Sequence, residues 1–170
     1  AAAPVGEAQK PVYDDAPGVH DSTPVTRRHQ FIALAVSRRD GNISWKKVLR
    51  EEWPHEGGHV TGSLASNSPV TDGEHLYVFF GSRGLYCLDF AGQLIWKADF
   101  GPMQSLHGHG EGSSPLIYQD TLIVNWQRLN SYLSAASTFS PMQASASPPT
   151  RRRSSSRKKP ILSGDRQTEA

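Results

Sequence analysis

The sequence predicts an all-β fold assembled from repeated four-stranded antiparallel meanders, and three observations predict it. Between Asn67 and Phe100, four short apolar stretches alternate with glycine-bearing turns. The first half of that pattern recurs from Ser113 to Val124, and its second half precedes it, from Ala33 to Lys46. Self-similarity of this kind, with four strands in each unit of about 34 residues, predicts a partial β-propeller of about two four-stranded blades. An incomplete set leaves strand edges and blade faces without partners. We therefore expect a fragment or a truncated product of a longer propeller.

Residues 1–30 carry Pro4, Pro11, Pro17 and Pro24 with scattered charge and almost no periodicity, and read as an extended arm. The blades are expected over residues 31–126. The first strand to show itself is Ala33-Leu34-Ala35-Val36, and Gly41 closes a hairpin into Trp45. The charge pairs Arg27-Arg28 and Arg38-Arg39 that flank it read as a solvated face. Between Trp45 and Asn67 lies an insertion, residues 46–66, rich in Glu, His and Gly. The complete unit follows. Ser68-Pro69-Val70 is of edge type, because proline has no N–H to give a ladder. Asp72-Gly73 turns the chain into Leu76 to Phe80, Gly81 to Gly84 turns it into Leu85 to Asp89, and Ala91-Gly92 turns it into Leu94 to Lys97. Gly41 stands four residues before Trp45, and Gly92 stands four before Trp96. The hairpin at Gly41 is longer by about two residues.

The run Ser-Pro-Val-x-Asp-Gly-x-x-Leu-Tyr-Val from Ser68, followed by Gly84-Leu85-Tyr86-Cys87-Leu88-Asp89 and then Gly92 and Trp96, resembles the PQQ-like repeat. That repeat is shared by quinoprotein dehydrogenases and the BamB outer-membrane assembly lipoprotein. The resemblance covers Val25 to about Trp126 and is most specific at Asp89, Gly92 and Trp96; Asp40, Gly41 and Trp45 match it less fully. It implies a tryptophan packed between adjacent blades, which is architecture and not chemistry. It also implies a bacterial, periplasmic or otherwise extracytoplasmic protein that serves as a scaffold for a protein or ligand. The partners it implies are another protein or the missing blades of the same propeller. The alternative is a quinoprotein-type oxidoreductase dependent on PQQ (pyrroloquinoline quinone) or a metal. Such enzymes gather the quinone and a calcium ion from many blades. Two blades do not supply that site, and the adjacent-cysteine pair of several such enzymes is missing, so no cofactor and no catalytic residue is assigned.

His55-Glu56-Gly57-Gly58-His59 satisfies the His-Glu-x-x-His pattern, in which a helix sets two imidazoles on one face to hold zinc. Two central glycines, each worth about 1 kcal/mol against a helix, and Pro54 before them place this run in a loop instead. The second polar run is His107-Gly108-His109-Gly110-Glu111, which enters a strand as Thr61 to Ser66 does one unit earlier. Equivalent loops converge at one end of a propeller. His107, His109 and Glu111 are therefore expected near Asn67 and His59. His55, His59, His107, His109 and Glu111 are the candidate metal ligands, against the alternative of solvent-facing loop histidines. Cys87 is the single cysteine, so the chain closes no disulfide on itself, and its mid-strand place reads as an inert buried thiol.

After Trp126 hydrophobic alternation stops. Up to that residue 10 Lys and Arg face 14 Asp and Glu, a balance of −4; after it 8 face 2, a balance of +6. The run from Arg151 to Lys159 is the cause. Residues 127–170 read as a low-complexity basic tail, disordered or out of frame, with nucleic-acid binding the weakest of the readings. The longest apolar run, Phe31 to Val36, has six residues, against the roughly 20 that a spanning helix needs.

Overall fold

A computed structural model describes residues 1–11, 20–103, 105, 108–126 and the backbone of 135–139. Among these residues there is no α-helix. The chain forms several small antiparallel sheets and one 3-10 turn, Gly81–Arg83.

The meander between Val70 and Ala98 is the middle sheet, in the order β6 (Val70–Thr71), β7 (Leu76–Phe79), β8 (Leu85–Leu88), β9 (Leu94–Ala98). Its two central strands are apolar without interruption because both of their faces are covered. Successive side chains on a strand point to opposite sides. Tyr77, Phe79, Leu85 and Cys87 pack to one side against Leu122 and Val124. Val78, Phe80, Tyr86 and Leu88 pack to the other, against Phe31 and Ala33. A side chain of this size contributes about 1.5–3 kcal/mol when fully buried, so these two layers hold the structure together.

The layer built on Phe31 and Ala33 belongs to a sheet in the order β1 (Ala2–Val5), β3 (Arg28–Val36), β4 (Ile43–Glu52). Leu122 and Val124 belong to a third sheet, β10 (Leu116–Tyr118), β11 (Thr121–Trp126), β12 (Ala135–Phe139). The middle sheet is thus packed face to face between two others. A two-strand ladder, β2 (Ser22–Thr23) with β5 (Gly58–His59), ties the N-terminal stretch to the loop after β4.

The first two sheets repeat each other down to an irregularity. In the β3–β4 pair the register slips between Ala35 and Val36, so Ala35 faces Trp45 and Val36 faces Ile43. In the β8–β9 pair it slips between Cys87 and Leu88, so Cys87 faces Trp96 and Leu88 faces Leu94. Each bulge inserts one residue beside the tryptophan, Ser44 in one sheet and Ile95 in the other. Trp45 then reaches across to the middle sheet, where its Nε1 donates to the Phe90 carbonyl at 2.9 Å. Its ring covers Gly92, where an added Cβ would stand 2.8 Å from the indole; the φ of +80° at Gly92 also favours glycine.

The structure departs from the sequence reading at several places. Ala2–Val5, inside the stretch read as an arm, pairs with Arg28–Phe31, so β3 begins before residue 31. The stretch read as an insertion from Lys46 begins as strand, since β4 runs on to Glu52. The hairpin at Gly41 exceeds its counterpart by one residue and not two, with Val36 to Ile43 against Leu88 to Leu94. Ala135–Phe139, inside the stretch read as a tail, pairs with β11 from Leu122 to Trp126. The rest of that tail, including Arg151 to Lys159, lies outside the described residues. No helix is long and apolar enough to cross a membrane among the described residues.

Candidate functional site

At the end of the middle sheet where β7 turns into β8, the Gly81–Arg83 turn folds an arginine inward. The Arg83 side chain is 2% exposed and Glu111, facing it, is 5% exposed. Arg83 Nη1 lies 3.1 Å from Glu111 Oε1, and Nε lies 3.5 Å from Glu52 Oε1 at the end of β4. The guanidinium also sits 5.4 Å from the Phe31 ring centroid, a cation–π contact. Glu111 accepts from both the backbone N–H and the hydroxyl of Ser82. The Ser82 hydroxyl in turn accepts from the Met103 N–H at 2.6 Å. Gly81 is required here. An added Cβ would stand 1.7 Å from Glu111 Oε2, and its φ is +59°.

A second arginine extends the network outward. Arg50 pairs with Glu52, and its Nη1 donates to Asp99 Oδ2 at 2.6 Å. Against partial burial, Asp99 and Glu52 raise the Arg50 pKa. Burial alone would raise Asp99, yet the Gly101 N–H and Arg50 hold it below the usual carboxylate range. Tyr86 Oη donates to the Arg83 carbonyl at 2.6 Å, which fixes the turn to β8.

Next to Glu111 stand His55 and Glu56, and one ligand atom from each of the three lies within 4.8 Å of the others. His55 Nε2 is 3.9 Å from Glu111 Oε1. It is also hydrogen-bonded to the Met103 carbonyl. A carbonyl only accepts, so Nε2 carries the proton and offers no lone pair to a cation in this arrangement. Glu56 Oε2 accepts from the Ser105 N–H at 3.2 Å, while its Oε1 is buried and makes no hydrogen bond. Burial pushes the Glu56 carboxyl above the usual range, only partly offset by Ser105 and His55. Glu111 is already held by Ser82 and Arg83, which leaves Glu56 Oε1 as the oxygen of this set with no hydrogen bond.

The other half of the His-Glu-x-x-His run goes elsewhere. His59 lies on β5, and its ring meets His109 edge to face at 5.0 Å; His109 meets His20 in the same way at 4.9 Å. Gly57 passes so close to β2 that a Cβ would stand 2.1 Å from the Thr23 carbonyl, which accounts for a glycine inside the motif. Of these three histidines His59 also lines a cavity of about 330 Å³, together with His29, Val25 and Leu64. Asn67 donates to the Ser113 carbonyl at 2.7 Å. Thus His59 and His109 come together, Asn67 reaches Ser113 in the segment between Glu111 and β10, Glu111 joins His55, and His107 lies outside the described residues.

Arg83, Glu52, Ser82 and His20 were not among the residues singled out from sequence. Arg83 had a signal, a lone arginine between two apolar strands. Cys87 is buried, and burial, aided by Asp72, pushes its thiol up to about 11. Asp89 Oδ1 accepts from the Gln93 N–H at 2.8 Å in the turn that carries Gly92. Trp96 packs 6.0 Å from Tyr77, ring to ring. Compared with protein families, curated proteins and solved structures, the chain matches none.

Proposed function

We propose that this chain is part of a β-propeller of PQQ-like repeats that works as an extracytoplasmic scaffold, binding a protein or ligand at the ends of its blades. The observation that carries the reading is the seat of Trp45 on Phe90 and Gly92, one sheet donating its hairpin tryptophan to the turn of the next. The middle sheet, covered on both faces by its neighbours, supports the same reading. The loop cluster supports a scaffold over a catalyst, because Arg83 is ion-paired inside it with Glu52 and Glu111. Partners of this class are other proteins or further blades of the propeller.

A quinone- or metal-dependent oxidoreductase is the second reading, and the unpartnered Glu56 Oε1 beside His55 and Glu111 favours it. Thermal unfolding with and without PQQ and calcium chloride separates the two. A ligand at a hundred times its Kd stabilises by about 2.7 kcal/mol. The scaffold reading expects no change in Tm; a rise that saturates with PQQ or calcium overturns it in favour of the enzyme.

A further inference from the structure

We propose that the cavity beside His59 is a binding site for a small neutral ring carrying N–H and C=O groups, the chemistry of a cyclic lactam or imide. The cavity and its lining carry this independently of the propeller reading.

The cavity, about 330 Å³, lies where three separate stretches meet: Ala2 in β1, the chain from Thr23 to His29, and the loop from Gly57 to Leu64. Its volume is at the lower end of the roughly 300–1,000 Å³ of small-molecule sites, so it suits a single ring. No Lys, Arg, Asp or Glu lines it. A charged ligand would lose water there and gain no counter-ion, so the occupant is neutral. Val25, 3% exposed, and the half-buried Leu64 are apolar walls for the faces of a ring.

Two imidazoles supply polar contacts, and the partner of each fixes what it offers. His29 Nδ1 lies 3.0 Å from the Arg27 carbonyl. A carbonyl only accepts, so Nδ1 carries the proton and Nε2 keeps its lone pair. His59 Nδ1 accepts from the Thr61 N–H at 3.2 Å and lies 2.8 Å from the Thr61 hydroxyl, so the proton of this ring is on Nε2. Neither Nε2 makes a hydrogen bond among the described residues. The lining therefore presents one acceptor, on His29, and one donor, on His59. A ligand that satisfies both must donate at one point of its edge and accept at another. A ring such as uracil does so, with N–H and C=O groups in alternation, and leaves two flat faces for Val25 and Leu64.

The test uses the whole chain with uracil as the probe. At mildly alkaline pH, proton–nitrogen correlation spectra of the imidazoles should show His29 protonated on Nδ1 and His59 on Nε2. Uracil, titrated to millimolar concentration, should shift the amides of Gly58, Gly62 and Leu64 to saturation. Dimethyluracil, methylated on both nitrogens, keeps the carbonyls and loses the N–H groups, and should bind at least about tenfold more weakly. Orotate, which adds a carboxylate to the same ring, should also bind more weakly than uracil. Val60 lines the cavity and is 58% exposed, so Val60→Trp adds bulk to the wall without entering the core and should abolish the uracil shifts. His59→Phe keeps a ring against His109, removes the donor, and should weaken uracil about tenfold. The opposite tautomer at either histidine, no saturable shift with uracil, equal affinity for dimethyluracil, uracil binding unchanged by Val60→Trp, or saturation by glucose in place of uracil would each overturn the proposal.

Discussion

Replacing Arg83 with methionine keeps most of the length of the side chain and removes its charge. In the native fold the guanidinium is 2% exposed and 3.1 Å from Glu111, itself 5% exposed. Its loss leaves a carboxylate buried with only Ser82 as donor, and breaking a buried pair in this one-sided way costs about 3–5 kcal/mol. The contacts of Tyr86 and Arg50 go to the Arg83 carbonyl and survive the substitution. Urea unfolding of wild type, Arg83→Met, Glu111→Gln and the double variant gives the four free energies. Arg83→Met should lose about 3–5 kcal/mol, and the double variant should lose clearly less than the two single losses added together. A loss below about 1 kcal/mol, the range of an exposed pair, or strict additivity would refute a buried charge network at this site.

Two further outcomes follow from the titratable groups. Burial raises the Glu56 pKa, so the fold favours its neutral form: that stability is full below the unfolded glutamate value and is lost as pH rises through the raised folded value. Glu56→Gln holds the neutral form and should be more stable than wild type at pH 7, with the gap closing toward about pH 4; a gap that does not change with pH contradicts this. Cys87, with its thiol pushed up to about 11, should react with a disulfide reagent orders of magnitude more slowly in native protein than in urea. Native reactivity equal to that of the unfolded chain would place the thiol at the surface.

The middle sheet was legible because its turns are marked by Gly73, Gly84 and Gly92 and its strands are apolar throughout, a pattern that burial on both faces demands. Ala2–Val5 was not, since it has no alternation and contains Pro4; its strand character comes from the edge of β3 that it joins. Ala135–Phe139 gave no apolar signal either, and its pairing is set by β11. The candidate site was legible only in pieces. The glycines of the His-Glu-x-x-His run argue correctly against a helix, but nothing local shows that His55 and His59 part, one toward Glu111 and the other toward His109 and His20. Nothing local marks Arg83 as buried, because charge in a Gly-Ser-Arg-Gly turn normally faces water. Its burial depends on Glu52 and Glu111, distant in sequence.

The seat of Trp45 on the next sheet is most directly tested by a double-mutant cycle between Trp45→Ala and Gly92→Ala, read by urea unfolding. In the presence of Trp45 an alanine at Gly92 meets both the indole and an unfavourable φ; without Trp45 only the φ remains, about 1–2 kcal/mol. A repeat architecture held by tryptophan docking predicts that Gly92→Ala costs at least about 1 kcal/mol more in wild type than in the Trp45→Ala background. Equal costs in the two backgrounds would mean that Trp45 does not sit on Gly92, and the account of successive sheets joined through their hairpin tryptophans would be wrong.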